Sequence, residues 1–213
     1  SDVCSSDLED LQKIAEIAIE NDLYVLSDEA YSEFFYDEKH ISIASLPGMR
    51  ERTIIVNTTS KAYSMTGWRV GFALGNKDII DRMTRLQENM VSCVTASSQY
   101  AALKALDLFD RADEMTKIYK ERRDIIVEGL NNIKGITCIK PKGSFYVFPN
   151  IKGLKKDSVT VANELLEKAG VITIPGSAFG EYGEGYLRIS YANSKENIRD
   201  RKSTRLNSSH ITI

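Results

Sequence analysis

The chain has 213 residues, with 28 lysines and arginines against 30 aspartates and glutamates and a net charge of −2. That length can bury a substantial core, while the balanced charge leaves no electrostatic footprint for nucleic acid or for an anionic membrane surface. No apolar run reaches the roughly 18 residues that cross a bilayer, so a small molecule is the expected partner. The cysteines Cys4, Cys93 and Cys138 are far apart and form no Cys-x-x-Cys pair, which points away from a disulfide framework or zinc knuckle and toward a reducing cytoplasm. His40 and His210 are the only histidines, and neither has a ligand-type neighbour at metal-binding spacing. Metal chemistry and Ser-His-Asp hydrolysis are therefore not expected. A chain so poor in histidine is still able to be an enzyme if an organic cofactor carries the difficult step.

In chain order, Leu8, Leu11, Ile14, Ala15 and Ala18 recur at helical spacing, and the apolar run Leu23 to Leu26 that follows ends at Ser27-Asp28 as a strand. Further strands are predicted at Thr53 to Asn57 and Val70 to Leu74, with Gly67, Gly71 and Gly75 at the turns. From Asp78 to about Leu106 the pattern is helical, and another helix is predicted from about Arg111 to Asn131. Strands follow at Ile136 to Lys140, Ser144 to Phe148, Val171 to Ile174 and Tyr186 to Tyr191. A helix from Val159 to Ala169 is started by Asp157 or Ser158 and stopped by Gly170. Strands alternating with helices predict an α/β fold whose ligands sit at strand ends. Two domains are expected, 9–95 and 96–201, the second beginning with bridging helices.

The chemistry concentrates in two runs. Asn57-Thr58-Thr59-Ser60-Lys61-Ala62-Tyr63-Ser64-Met65-Thr66-Gly67-Trp68-Arg69 places a lysine just after a strand and an arginine beyond it, and Ser27-Asp28-Glu29-Ala30-Tyr31 ends an earlier strand. A lysine there can form an imine with a carbonyl cofactor, an aspartate can keep a ring nitrogen protonated, and an arginine can bind a phosphate. Pyridoxal 5'-phosphate needs that set of groups. Near the C-terminus, Tyr186-Leu187-Arg188-Ile189-Ser190-Tyr191 alternates, putting Arg188 and Ser190 on one face of a strand and Leu187, Ile189 and Tyr191 on the other.

Ser60 to Gly71, SKAYSMTGWRVG, closely resembles the lysine motif of class I aminotransferases of the aspartate aminotransferase family, fold type I of the pyridoxal phosphate enzymes. The resemblance covers about residues 9 to 200. It implies a cofactor-domain sheet, truncated at its front, followed by a smaller C-terminal α/β domain. It further implies that Lys61 is the catalytic lysine that links to the cofactor and shuttles a proton, and that Asp28 pairs with the pyridinium nitrogen. By the same resemblance Tyr31 bonds the phenolic oxygen, Arg69 binds the phosphate with Thr58 and Ser60, and Arg188 grips the substrate carboxylate. A planar guanidinium suits the tasks of both arginines. The segments Pro141 to Tyr146 and Pro175 to Gly180 resemble small-domain segments of the family and are expected to shape turns near the substrate.

The expected activity is transfer of an amino group from an amino acid to a 2-oxo acid, by a protein that is a homodimer when whole. A carbon-sulfur β-lyase begins with the same proton removal and stays open as an alternative. So does a transcription regulator that uses an aminotransferase-like sensor domain. The family's upstream phosphate loop, its ring-stacking aromatic residue and its Asn-Pro-x-x-Gly segment are not found in this sequence. The chain is therefore expected to correspond to the C-terminal half to two-thirds of an aminotransferase, with exposed strand edges and apolar faces and weak cofactor binding at best. Ser1 to Leu8 and Lys202 to Ile213, rich in Ser, Asn and Thr, resemble translated sequencing adapter more than protein termini and are set apart from the fold.

Overall fold

A computed structural model describes residues 8–200. The two terminal segments set apart above lie outside that range, except for Leu8, which opens the first helix. The chain forms two compact units that divide between Thr116 and Lys117.

In the first unit, helix α1 (Leu8–Glu20) leads into strand β1 (Val25–Asp28). Ala15 and Ala18 of α1 are buried with Ile43 and Met49, and Leu11, Val25 and Leu46 pack around them. Small alanines at this spacing let the helix lie close against the 43–49 segment. The end of α1 is pinned by Arg52, whose guanidinium donates to the carbonyls of Leu23 at 3.1 Å, Gly48 at 3.3 Å and Ala18 at 3.4 Å. A cation among C-terminal carbonyls complements both the orphaned acceptors and the helix dipole.

Strand β2 (Thr53–Thr58) runs parallel to β1, and β3 (Gly71–Leu74) runs antiparallel to β2, giving the order β1-β2-β3. Gly71 suits the start of β3, because a side chain there would lie tightly, 3.2 Å, against the Asn57 carbonyl oxygen. Helix α2 (Lys77–Met90) is capped by Asn76, whose side-chain oxygen accepts the Asp78 N–H at 2.9 Å. Apolar side chains stay exposed across this unit, among them Leu26, Leu74, Leu86 and Met90.

The single helix predicted from 78 to 106 is instead two, α2 and α3 (Ala96–Ala105). The break falls at Val91 to Thr95, where poor helix formers cluster and Ser92 adopts a left-handed conformation with φ of 64°. Helix α4 (Phe109–Asn131) follows, and the division between units falls within it.

The second unit is built on a small antiparallel sheet of β4 (Tyr146–Val147), β5 (Ile174–Pro175) and β6 (Leu187–Ser190), in the order β4-β6-β5. Helix α5 (Ser158–Ala169) is capped by Asp157, which accepts the Thr160 N–H at 2.8 Å, and ends at left-handed Gly170. A short helix, α6 (Lys195–Asp200), closes the described chain. The core joins Val127 and Leu130 of α4, Val161 and Leu165 of α5, and Val147, Leu187, Ile189 and Tyr191 of the sheet and its end. Each such aliphatic side chain contributes about 1.5–3 kcal/mol on burial.

The strand predicted at 136–140 is reduced to one bridge, Thr137 to Asn150. The reason is local satisfaction of the backbone. The Asn131 side chain accepts the Cys138 N–H at 2.8 Å and donates to the Cys138 carbonyl at 3.0 Å, taking the bonds a neighbouring strand would have made.

Candidate active site

Parallel β1 and β2 end on the same edge of the first sheet, and antiparallel β3 begins there. This topology gathers Asp28 at the end of β1, Thr58 at the end of β2, Ser60 and Lys61 just beyond it, and Arg69 before β3. Tyr31 lies in the turn after β1, and Lys61 Nζ sits 5.6 Å from the centroid of its ring. Residues separated in the sequence thus share one surface at the strand ends, where open α/β sheets bind ligands.

Asp28 is exposed, and one of its oxygens accepts the Ala30 N–H at 3.2 Å. Among the described residues it meets no cation. Arg69 is exposed in a left-handed conformation with φ of 57°, and it donates to the Thr66 carbonyl at 3.0 Å. It too meets no opposite charge among the described residues. An acid and a guanidinium without ionic partners among the described residues are both open to a ligand at this sheet edge.

The hydroxyls are used unequally. Thr58 Oγ1 donates to the Val70 carbonyl at 2.7 Å and accepts the Ser60 N–H at 3.1 Å. Its one proton is committed to the backbone. Ser60 Oγ lies 2.9 Å from Thr58 Oγ1, so Ser60 is the better placed of the two to donate to a bound anion. Asn57 steadies this strand end by donating to Ser32 Oγ at 3.2 Å and accepting the Thr58 N–H at 2.7 Å.

Behind Asp28 lies a polar cluster that the sequence did not reveal. Glu29 is buried, receives the hydroxyls of Ser42 at 2.5 Å and Ser27 at 3.1 Å, and has His40 Nε2 at 3.3 Å from its second oxygen without hydrogen-bond alignment. Burial pushes the Glu29 carboxyl up, but the imidazole beside it and the two hydroxyls outweigh that, leaving it below the usual glutamate range. The only signal in the chain was a histidine and a serine two residues apart, which by itself indicates nothing.

In the second unit, Arg188 occupies the open face of β6, while Leu187 and Ile189 on either side are buried. Its guanidinium carbon lies 4.7 Å from the centroid of Tyr146 and 4.8 Å from that of Phe179. Among the described residues Arg188 forms neither an ion pair nor a hydrogen bond through its side chain. The two rings were not singled out from the sequence. The available signal was the pair of segments Pro141 to Tyr146 and Pro175 to Gly180, which contain them.

The residues present fit pyridoxal 5'-phosphate. They offer an amine at Lys61, a carboxylate with no other ionic partner at Asp28, a phenol at Tyr31, and a guanidinium and hydroxyl for the phosphate at Arg69 and Ser60.

The chain is 47% identical over 195 residues to an aspartate aminotransferase of Pyrococcus abyssi, covering 90% of this chain and 50% of that protein. It is 44% identical, also over 195 residues, to aromatic-amino-acid aminotransferase 2 of Thermococcus litoralis, with the same coverage. The crystal structure of an aromatic aminotransferase from Pyrococcus horikoshii superposes with a TM-score of 0.91 at 43% identity, covering 96% of this chain and 55% of that one. The chain thus spans about half the length of the curated relatives it matches, and its α/β architecture is that of the fold-type I aminotransferases. Members of this family use pyridoxal phosphate. The family described as aminotransferase class I and II matches residues 5–201, the stretch that carries both the Lys61 edge and Arg188, and the chain belongs to that family.

Proposed function

We propose that this chain serves the pyridoxal phosphate-dependent transfer of an amino group from an amino acid to a 2-oxo acid. The observation that carries the reading is the gathering of Lys61, Tyr31, Asp28 and Arg69 at one sheet edge, with Asp28 and Arg69 lacking ionic partners among the described residues. The bound cofactor would supply an electrophilic carbonyl and a ring that accepts electron density.

Each residue has a separable task. Lys61 Nζ takes the proton from the substrate Cα and returns it elsewhere as general base and acid. Asp28 holds the proton on the ring nitrogen, Tyr31 donates to the phenolic oxygen, and Arg69 and Ser60 hold the phosphate. Arg188 binds the substrate carboxylate through a planar, two-pronged contact. Thr58 contributes by fixing the Ser60 N–H.

Relatives named for aspartate, aromatic amino acids and LL-diaminopimelate support an amino-acid donor and favour transfer over β-elimination, without choosing among donors. The whole protein is read as a cytoplasmic homodimer, the first from the cysteine pattern and the second from the family resemblance. No described helix is long and apolar enough to cross a membrane.

The test is to incubate the chain with pyridoxal phosphate, reduce with borohydride and locate the label by peptide mass spectrometry. Label concentrated on Lys61 supports the reading. Label spread evenly over surface lysines such as Lys39 and Lys77 overturns it for this chain.

A further inference from the structure

The Arg188 guanidinium meets two aromatic rings, and the arrangement on the open face of the second sheet explains how. Tyr146 pairs with Ser190 across the β4–β6 ladder, so its ring rises beside Arg188 from the neighbouring strand. Phe179, whose ring centroid lies 4.8 Å from the guanidinium carbon, comes from the end of the turn Gly176–Phe179 that follows β5. Both rings are braced. Tyr146 lies against Phe145 at 4.7 Å, and Phe179 meets Phe148 edge-on at 5.9 Å, with Phe148 stacked on Tyr186 at 5.3 Å.

A guanidinium between two ring faces has its π surfaces covered and its rim of N–H groups open. Arginine otherwise loses much rotamer freedom when it binds, and a side chain already held in one plane loses less. The rim has no other claim on it, because Arg188 makes no ion pair or side-chain hydrogen bond among the described residues. The turn that carries Phe179 is itself held tightly, since the Gly176 and Gly183 backbones approach so closely that a side chain on Gly176 would lie 1.9 Å from the Gly183 carbonyl oxygen.

We propose that Tyr146 and Phe179 are positioning residues that clamp the Arg188 guanidinium in one plane and present its N–H rim to a carboxylate. The proposal rests on the reading of Arg188 as the carboxylate receptor. The clamp makes a plane-matching, bidentate acceptor the preferred ligand, and it makes lysine at 188 a poor substitute, because an ammonium offers no flat surface to either ring.

The experiment uses the whole chain, labelled with ¹⁵N and ¹³C, with the Arg188 Nε–H resonance assigned by its loss in R188K. Rotation of the guanidinium about Nε–Cζ and the shift on titration with sodium propionate are measured in the wild type, F179L, F179W and Y146L. Phe179 is 49% exposed, so its replacement leaves the buried core intact. F179L and Y146L are expected to speed rotation and to weaken propionate binding about threefold to tenfold, and F179W to slow rotation. Rotation and affinity unchanged in all three variants would overturn the clamp. If propionate fails to shift the wild-type resonance while the leucine variants still speed rotation, the clamp stands and the carboxylate reading falls.

Discussion

Lys61 Nζ lies 5.6 Å from the centroid of the Tyr31 ring, so the candidate catalytic amine and the candidate phenol of the cofactor site are neighbours. An amine over an aromatic face is worth about 0.5–2 kcal/mol when charged. Tyr31→Leu is therefore expected to lower the share of pyridoxyl label found on Lys61 after borohydride reduction, and Tyr31→Phe to lower it less. Peptide mass spectrometry of the two variants side by side checks the order.

The Glu29 cluster sets an acid limit on the first unit. Its carboxyl lies below the usual glutamate value of 4.5 in the folded chain. A depressed folded pKa means that the ionised form is the stabilised one. The contribution is fully present above about pH 4.5 and is lost as pH falls through the folded value. Glu29→Gln should flatten the acid limb of stability measured by denaturant unfolding between pH 3 and 6. At neutral pH it should cost about 1–3 kcal/mol, because Ser27 and Ser42 lose a charged acceptor and His40 a neighbouring carboxylate.

The two cysteines of the described chain report separately on the two units. Cys93 is exposed, whereas Cys138 is buried in the second core and burial pushes its thiol up to about 11. In a Cys4→Ser background at pH 8, iodoacetamide should modify Cys93 rapidly and Cys138 only as the second unit unfolds. A thiol whose folded pKa is raised keeps its contribution below the unfolded value of 9.0 and loses it as pH rises through about 11. Stability of the second unit should fall over that window in the wild type and less in Cys138→Ala. Labelling kinetics and alkaline unfolding curves provide the check.

Gly176 faces Gly183 backbone to backbone. Gly176→Ala forces a methyl group into a carbonyl oxygen that no rotamer change can move, so a loss of at least about 1–3 kcal/mol is expected. Because Gly176 opens the turn that ends at Phe179, the variant should also free the Arg188 guanidinium. Thermal unfolding and the Arg188 Nε–H resonance would move together. A stability loss with Arg188 unchanged would separate the two effects.

What the sequence disclosed follows the range of each interaction. The Asp157 cap and the Gly170 stop of α5 were legible because a cap is decided within four residues. The alternation of Leu187, Ile189 and Tyr191 was legible for the same reason and corresponds to their burial. The strand expected at 136–140 was not, because the Asn131 side chain that satisfies Cys138 arrives from another element. The break between α2 and α3 turns on one left-handed serine, Ser92, a residue type that gives no reliable warning of that conformation. At the site, Lys61, Asp28 and Arg69 could be named from two runs of sequence. The lack of ionic partners at Asp28 and Arg69 among the described residues, the His40 approach to Glu29 and the rings around Arg188 needed the fold.

Arg69 holds a backbone conformation that costs an ordinary residue about 1 kcal/mol or more and costs glycine almost nothing. A selection for thermal stability alone would therefore be drawn to glycine at this position, and each such gain would delete the guanidinium proposed for the phosphate. If Arg69 holds the phosphate as proposed, durability and anion binding compete at this single residue.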